Sequence, residues 1–131
     1  MVNILVVAHC ELANSFKSCV ENIIAKDVNY LHTIAVTPTD NMEYIIASIQ
    51  KIIAKIGEDS EILILSDIYG ATPSNIAQKL LKPQQIEMIA GLNLPMLIRA
   101  ISYAKDGLEL CIQKTLDGGL SGIIHVGGTK W

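Results

Sequence analysis

The sequence predicts an open α/β fold, a doubly wound and mainly parallel sheet with helices on both faces, and three observations predict it. Short apolar runs alternate with helix-period segments along the 131 residues, which is the pattern of successive β-α-β units. The two cleanest runs, residues 2–8 and 62–65, are apolar at nearly every position, as buried strands are. Each then stops on polar residues, His9-Cys10 after the first and Ser66-Asp67 after the second.

The elements follow in order. After the first strand, Leu12, Phe16, Val20 and Ile23 recur at helical spacing and predict a helix over 12–26. A second strand is expected at 30–36, after the turn-like Lys26-Asp27-Val28-Asn29. The strongest helical stripe comes next, formed by Met42, Ile45, Ile46, Ile49, Ile52, Ile53 and Ile56. Asp40 with Glu43 has the form of a capping box, and Gly57 is placed to end that helix. The third strand, 61–66, leads into the loop 66–73. There Thr72 is expected to cap a helix that holds Pro73 in its first turn and runs to Leu81, before Pro83. A fourth strand at 86–90 meets Gly91-Leu92-Asn93-Leu94-Pro95-Met96. One helix starts near Pro95 and another spans 106–117, until Gly118-Gly119 breaks the chain before a last apolar run at 123–126.

Right-handed crossovers constrain the topology, and the expected strand order is 2-1-3-4. The last strand is placed at an edge, either antiparallel or exchanged with a second copy in a dimer. The switch point of this order lies between strands one and three, outside their carboxyl ends, where ligands collect in such sheets. His9 and Asp67 are therefore expected to face each other.

Composition narrows the function classes. The length suits one domain, 1–131, with an aliphatic core: 50% of residues are apolar and one is Phe. The formal charge is −3 without a basic cluster, which argues against nucleic acid as a partner. No segment has the length and apolarity of a membrane span, and Met1-Val2-Asn3-Ile4 lacks the pattern of a signal peptide. Cys10, Cys19 and Cys111 show no CxxC spacing, so reduced thiols in the cytoplasm are expected, with no metal site.

His9 is the candidate nucleophile. A neutral imidazole nitrogen can attack a phosphoryl group and hold it as a labile phosphoramidate, provided that the other nitrogen is held by a hydrogen bond. Asp67 is the candidate for that bond. The helix start at Thr72-Pro73-Ser74-Asn75 offers unpaired N–H groups to phosphoryl oxygens, with Thr72 and Ser74 as phosphate-binding candidates. Each signal is ordinary alone; their convergence at one sheet edge carries the reading. Cys10 offers a rival thiolate nucleophile, but no phosphate cradle surrounds it. An aspartyl-phosphate receiver needs further carboxylates after the first strand, and a dinucleotide site needs a GxGxxG that is absent there. His32 and His125 fall inside expected strands and read as packed or edge residues. Tyr69 and Met96 are expected near the rim of the site.

Taken together, the strand ending in His9, Glu11-Leu12-Ala13, the block from Ser66 to Asn75, and Gly91-Leu92-Asn93-Leu94-Pro95-Met96-Leu97 resemble the mannose-type enzyme IIA domain of the bacterial phosphoenolpyruvate-dependent sugar phosphotransferase system. The resemblance covers nearly the whole chain. It implies a protein-histidine phosphotransferase: His9 accepts a phosphoryl group from the phosphorylated histidine of the carrier protein HPr and passes it to a histidine of a IIB component, for sugar uptake. It also implies that Asp67 orients His9 and that the Thr72 region holds phosphoryl oxygens. Cys10, Tyr69, Gly70, Asn93, Pro95 and Met96 become the site rim or partner contacts. A cytoplasmic homodimer without metal or organic cofactor is implied, in peripheral association with a membrane permease complex. An alternative is a regulatory module whose phosphorylation state controls a transcriptional or metabolic partner.

The chain departs from the family pattern at three places. The family usually has Gly after the active His, where Cys10 stands, and a second Gly where Ala71 stands. Ser74 occupies a position usually held by Phe.

Overall fold

The computed structural model describes residues 1–128. The strands are β1 (Asn3–His9), β2 (Leu31–Val36), β3 (Ile62–Ser66) and β4 (Ile86–Ala90). The helices are α1 (Leu12–Ile24), α2 (Met42–Ile56), α3 (Thr72–Gln78), α4 (Leu94–Ser102) and α5 (Leu108–Ser121), with a 3₁₀ turn at Ala104–Asp106. Among the described residues the strands form one sheet, all parallel, in the order β2-β1-β3-β4. Both the doubly wound class and the 2-1-3-4 order expected from the sequence are found.

The two central strands are wholly apolar over residues 4–8 and 62–65, because both their faces are covered. Along β1 the period-2 alternation sends Ile4, Val6 and Ala8 to one core and Leu5 and Val7 to the other. The first core is closed by Ala13 and Val20 of α1, Leu97 and Ala100 of α4, and Leu108 and Cys111 of α5. The second is closed by Ile45, Ile49 and Ile53 of α2 with Ile76 and Ala77 of α3. The Ile stripe of α2 is thus a core surface, as its spacing predicts.

Some local expectations are corrected. Asn41, not Asp40, caps α2: its Oδ1 accepts the Tyr44 N–H at 2.7 Å. Asp40 instead accepts the Thr37 N–H at 2.8 Å and so closes the preceding turn. The N-cap position of α3 is Ala71, so Thr72 is already helical, and the helix ends at Gln78 rather than Leu81.

The largest correction concerns the C-terminal part. Gly118-Gly119 does not break the chain; α5 continues through it to Ser121. Both glycines are buried against α4. A Cβ on Gly118 would meet the Arg99 side chain and lie 3.1 Å from the Pro95 carbonyl oxygen; one on Gly119 would lie 2.7 Å from Met96 Cε. Close helix–helix approach, not a turn, explains these glycines. Residues 123–126, expected as an edge strand, form no regular element, and Ile123, Ile124 and Val126 are exposed.

Candidate functional site

β1 delivers His9 to the carboxyl edge of the sheet, and β3 delivers Asp67 one residue beyond its own end. The strands are parallel neighbours with Val7 opposite Ser66, so the two side chains emerge at the same edge. His9 Nδ1 lies 2.7 Å from Asp67 Oδ2, and the His9 backbone N–H donates to that same oxygen at 3.0 Å. The Ile68 N–H donates to Oδ1 at 3.0 Å, and the hydroxyl of buried Ser66 stands 3.5 Å from it.

Asp67 is 11% exposed and His9 46%. Burial is the largest single influence on the Asp67 carboxyl and works against its charge. The His9 backbone N–H, ring N–H and ring charge, together with the Ile68 N–H, outweigh it and hold the carboxyl below its ordinary value. Asp67 is therefore an anion at neutral pH and only accepts hydrogen bonds. Nδ1 must then carry a proton, which leaves the lone pair of the neutral ring on Nε2 of a half-exposed side chain. The sequence-predicted pair is present with a defined tautomer.

Cys10 follows His9 in the left-handed region, φ 51°, where a glycine would be free of strain. Its N–H bonds the Val36 carbonyl at 2.8 Å, so this conformation also secures the end of β2. Tyr69, Gly70 and Thr72 are exposed in the loop beside the pair and at the first turn of α3. Pro95 is exposed in the first turn of α4.

Other candidates have different roles. Ser74 is fully buried, and its hydroxyl is engaged within the loop: it accepts the Gly70 N–H and donates to the Ala71 carbonyl, both at 3.0 Å. It is a brace rather than a surface donor. Asn93 caps α4 by accepting the Met96 N–H at 2.9 Å and ties down α5 through the Gly119 carbonyl at 3.1 Å. Met96, expected at the rim, is 6% exposed and belongs to the core. His32, on β2, meets Asn3 Oδ1 at 3.1 Å; burial, then Lys17 and Lys55, lower its pKa. Of the cysteines, Cys10 and Cys19 are exposed and Cys111 is buried.

Sequence reasoning missed three contributors: Ser66, Ile68 and Asn75. The Ser66 carbonyl accepts the N–H groups of Gly91 and Leu92 at 3.0 and 3.1 Å, which joins the β4 loop to the end of β3. Asn75 Nδ2 donates to the Gly70 carbonyl at 3.2 Å. The tendency of Ser and Asn near helix starts to bond local backbone is the signal that points to Asn75. Ile68 acts through its main chain, to which its side-chain identity gives no clue.

The profile of the EIIA-man family, the PTS system fructose IIA component, matches residues 3–115, which include both His9 and Asp67. The chain belongs to this family. This IIA chain is 33% identical over 106 residues to the sorbose-specific EIIA component of the phosphotransferase system of Lacticaseibacillus casei, covering 80% of the chain and 75% of that protein. The crystal structure of EIIA from Streptococcus agalactiae superposes with a TM-score of 0.85 at 25% identity, over 95% of this chain and 97% of the other. The mannose/sorbose-specific IIA subunit from Enterococcus faecalis gives a TM-score of 0.86 at 21% identity, over 98% and 97% of the two chains, a likeness of fold. No helix among the described residues is long and apolar enough to cross a membrane.

Proposed function

We propose that this IIA component is a phosphocarrier in sugar uptake, and that His9 Nε2 is its phosphoryl acceptor. The observation that carries the reading is the 2.7 Å contact of His9 Nδ1 with a carboxylate whose pKa is held low. In the transfer, the Nε2 lone pair attacks phosphorus as the P–N bond to the histidine of HPr breaks, and that histidine keeps the bond's electron pair. The His9 ring retains its Nδ1 proton and becomes positively charged, and the Asp67 carboxylate opposes that charge. No proton has to move, so positioning and charge stabilisation do the catalytic work. Reversal of the same geometry hands the group to a histidine of a IIB component.

Thr72, exposed at the start of α3, is the proposed contact for the phosphoryl oxygens. Cys10, Tyr69, Gly70 and Pro95 are proposed to lie under the docked partner. The sugar-uptake role is supported by family membership and by the sorbose-specific relative. A dimer is proposed to form through the exposed apolar segment at 123–126, which follows the equally exposed Leu120.

The test is transfer of radiolabelled phosphoryl from phosphoenolpyruvate through enzyme I and HPr to wild type and to His9→Ala. Acid-labile label on wild type alone, with both proteins folded, is the expected result. Equal labelling of a folded His9→Ala variant would overturn the assignment.

A further inference from the structure

The loop that frames His9 and Asp67 is fastened to α3 by two adjacent side chains of unlike exposure. Gly70 adopts φ 83°, and both polar groups of its backbone are held. Its N–H donates to Ser74 Oγ at 3.0 Å, and its carbonyl accepts from Asn75 Nδ2 at 3.2 Å. The next carbonyl, that of Ala71, accepts both the Ser74 hydroxyl and the Asn75 N–H at 3.0 Å. Ser74 is fully buried, while Asn75 is exposed.

We propose that Ser74 and Asn75 form a clamp on Gly70 that fixes the position of the Asp67 carboxylate, making both of them positioning residues for phosphoryl transfer. The inference rests on reading His9 as the acceptor. Between the clamped Gly70 and Asp67 lie just Ile68 and Tyr69, and the Ile68 N–H is itself bound to Asp67 Oδ1 at 3.0 Å. Two residues are too short a tether to absorb a shift of Gly70 without moving Ile68 and, through it, the carboxylate. Pro73, Ser74, Ile76 and Ala77 anchor α3 in the protein, so the clamp passes the rigidity of a packed helix to an otherwise exposed loop. Fixing such a segment in advance removes an ordering cost from the reactive encounter, and small misplacements of a reacting group carry large rate penalties.

The hydroxyl is the feature that matters at position 74. Its partners are a main-chain donor and a main-chain acceptor within one turn, so a single oxygen serves both. Loss of this oxygen leaves the Gly70 N–H without its protein partner and releases one side of the clamp. Asn75→Ala releases the other side at an exposed position and is the variant least liable to misfold.

The experiment compares wild type, Ser74→Ala, Ser74→Cys and Asn75→Ala in transfer from phospho-HPr, with Ile53→Val as a core control far from the site. The clamp predicts a kcat about tenfold lower for Ser74→Ala and Asn75→Ala, with KM for phospho-HPr within about twofold. Ser74→Cys, which fills the same space with a poor hydrogen-bonding atom, is expected to be nearly as slow as Ser74→Ala. The double variant should lose less than the product of the single losses, because both side chains act on one peptide. Nitrogen-15 NMR of the His9 ring, which requires no transfer, should show a perturbed Nδ1–H in each clamp variant and not in Ile53→Val. Wild-type kcat and ring signals in Ser74→Ala and Asn75→Ala would overturn the clamp, as would a slowing that merely tracks loss of thermal stability in Ile53→Val. A wild type that takes no label would instead refute His9 as acceptor, and the ring spectra would still decide whether the clamp holds the carboxylate.

Discussion

Oδ2 of Asp67 accepts two hydrogen bonds from a single residue, one from the His9 backbone N–H at 3.0 Å and one from Nδ1 of its ring at 2.7 Å. The same oxygen thus fixes where the end of β1 lies and which ring nitrogen carries the proton. Replacement of Asp67 therefore removes both the orientation of the imidazole and the negative charge that opposes the phosphorylated ring.

Asp67→Ala is expected to slow phosphorylation by phospho-HPr on the order of 10²-fold while the protein stays folded. Rapid-quench kinetics with circular dichroism as the fold control measures this. A folded variant with the wild-type rate would show that Asp67 has no part in transfer.

Acidification should expose the same interaction as stability. The Asp67 carboxyl is held below its ordinary value in the folded chain, so its stabilising contribution is complete above the unfolded value. It is lost as pH falls through the folded value. The difference in unfolding free energy between wild type and Asp67→Asn should therefore shrink as pH falls below about 4. Urea titrations below that pH test it; a difference that widens there, in the carboxylate range, would contradict the assigned sign.

Cys10 carries strain that a glycine would relieve. The left-handed region costs a side-chain-bearing residue about 1–2 kcal/mol. Glycine's extra freedom in the unfolded chain returns about 0.5–1 kcal/mol of that. Cys10→Gly is thus expected to stabilise the fold by about 0.5–1 kcal/mol, measured by chemical denaturation, and to keep phosphoryl transfer.

Ile123, Ile124 and Val126 lie exposed beyond the end of α5. The proposed dimer through this segment predicts that Ile124→Asp lowers the mass found by sedimentation at micromolar concentration while leaving His9 labelling possible. An unchanged mass would remove the segment from any interface.

Much of the fold was legible before the structure, and the reasons are local. The apolar runs at β1 and β3 mark strands buried on both faces, and the 3.6-residue stripe of Ile45, Ile49 and Ile53 marks one helix face. Pro73 lies in a first turn and a helix starts near Pro95, both as expected. Cap identity was less legible. Asp40 and Asn41 are both good capping residues, and the choice between them depended on the Thr37 turn that Asp40 closes.

By itself, then, the sequence determined the order and kind of the elements as far as the start of α5, and the two residues at the switch point, because backbone period and strand polarity are written in short stretches. Tertiary structure alone decided what each polar side chain does. Ser74 braces a loop because burial turns its hydroxyl toward Gly70 and Ala71. Gly118-Gly119 continues a helix because α4 packs where their Cβ atoms would stand. The tautomer of His9 was settled by a contact that spans 58 positions in the chain. Such choices depend on which groups long-range packing desolvates and brings together, and no local pattern encodes that.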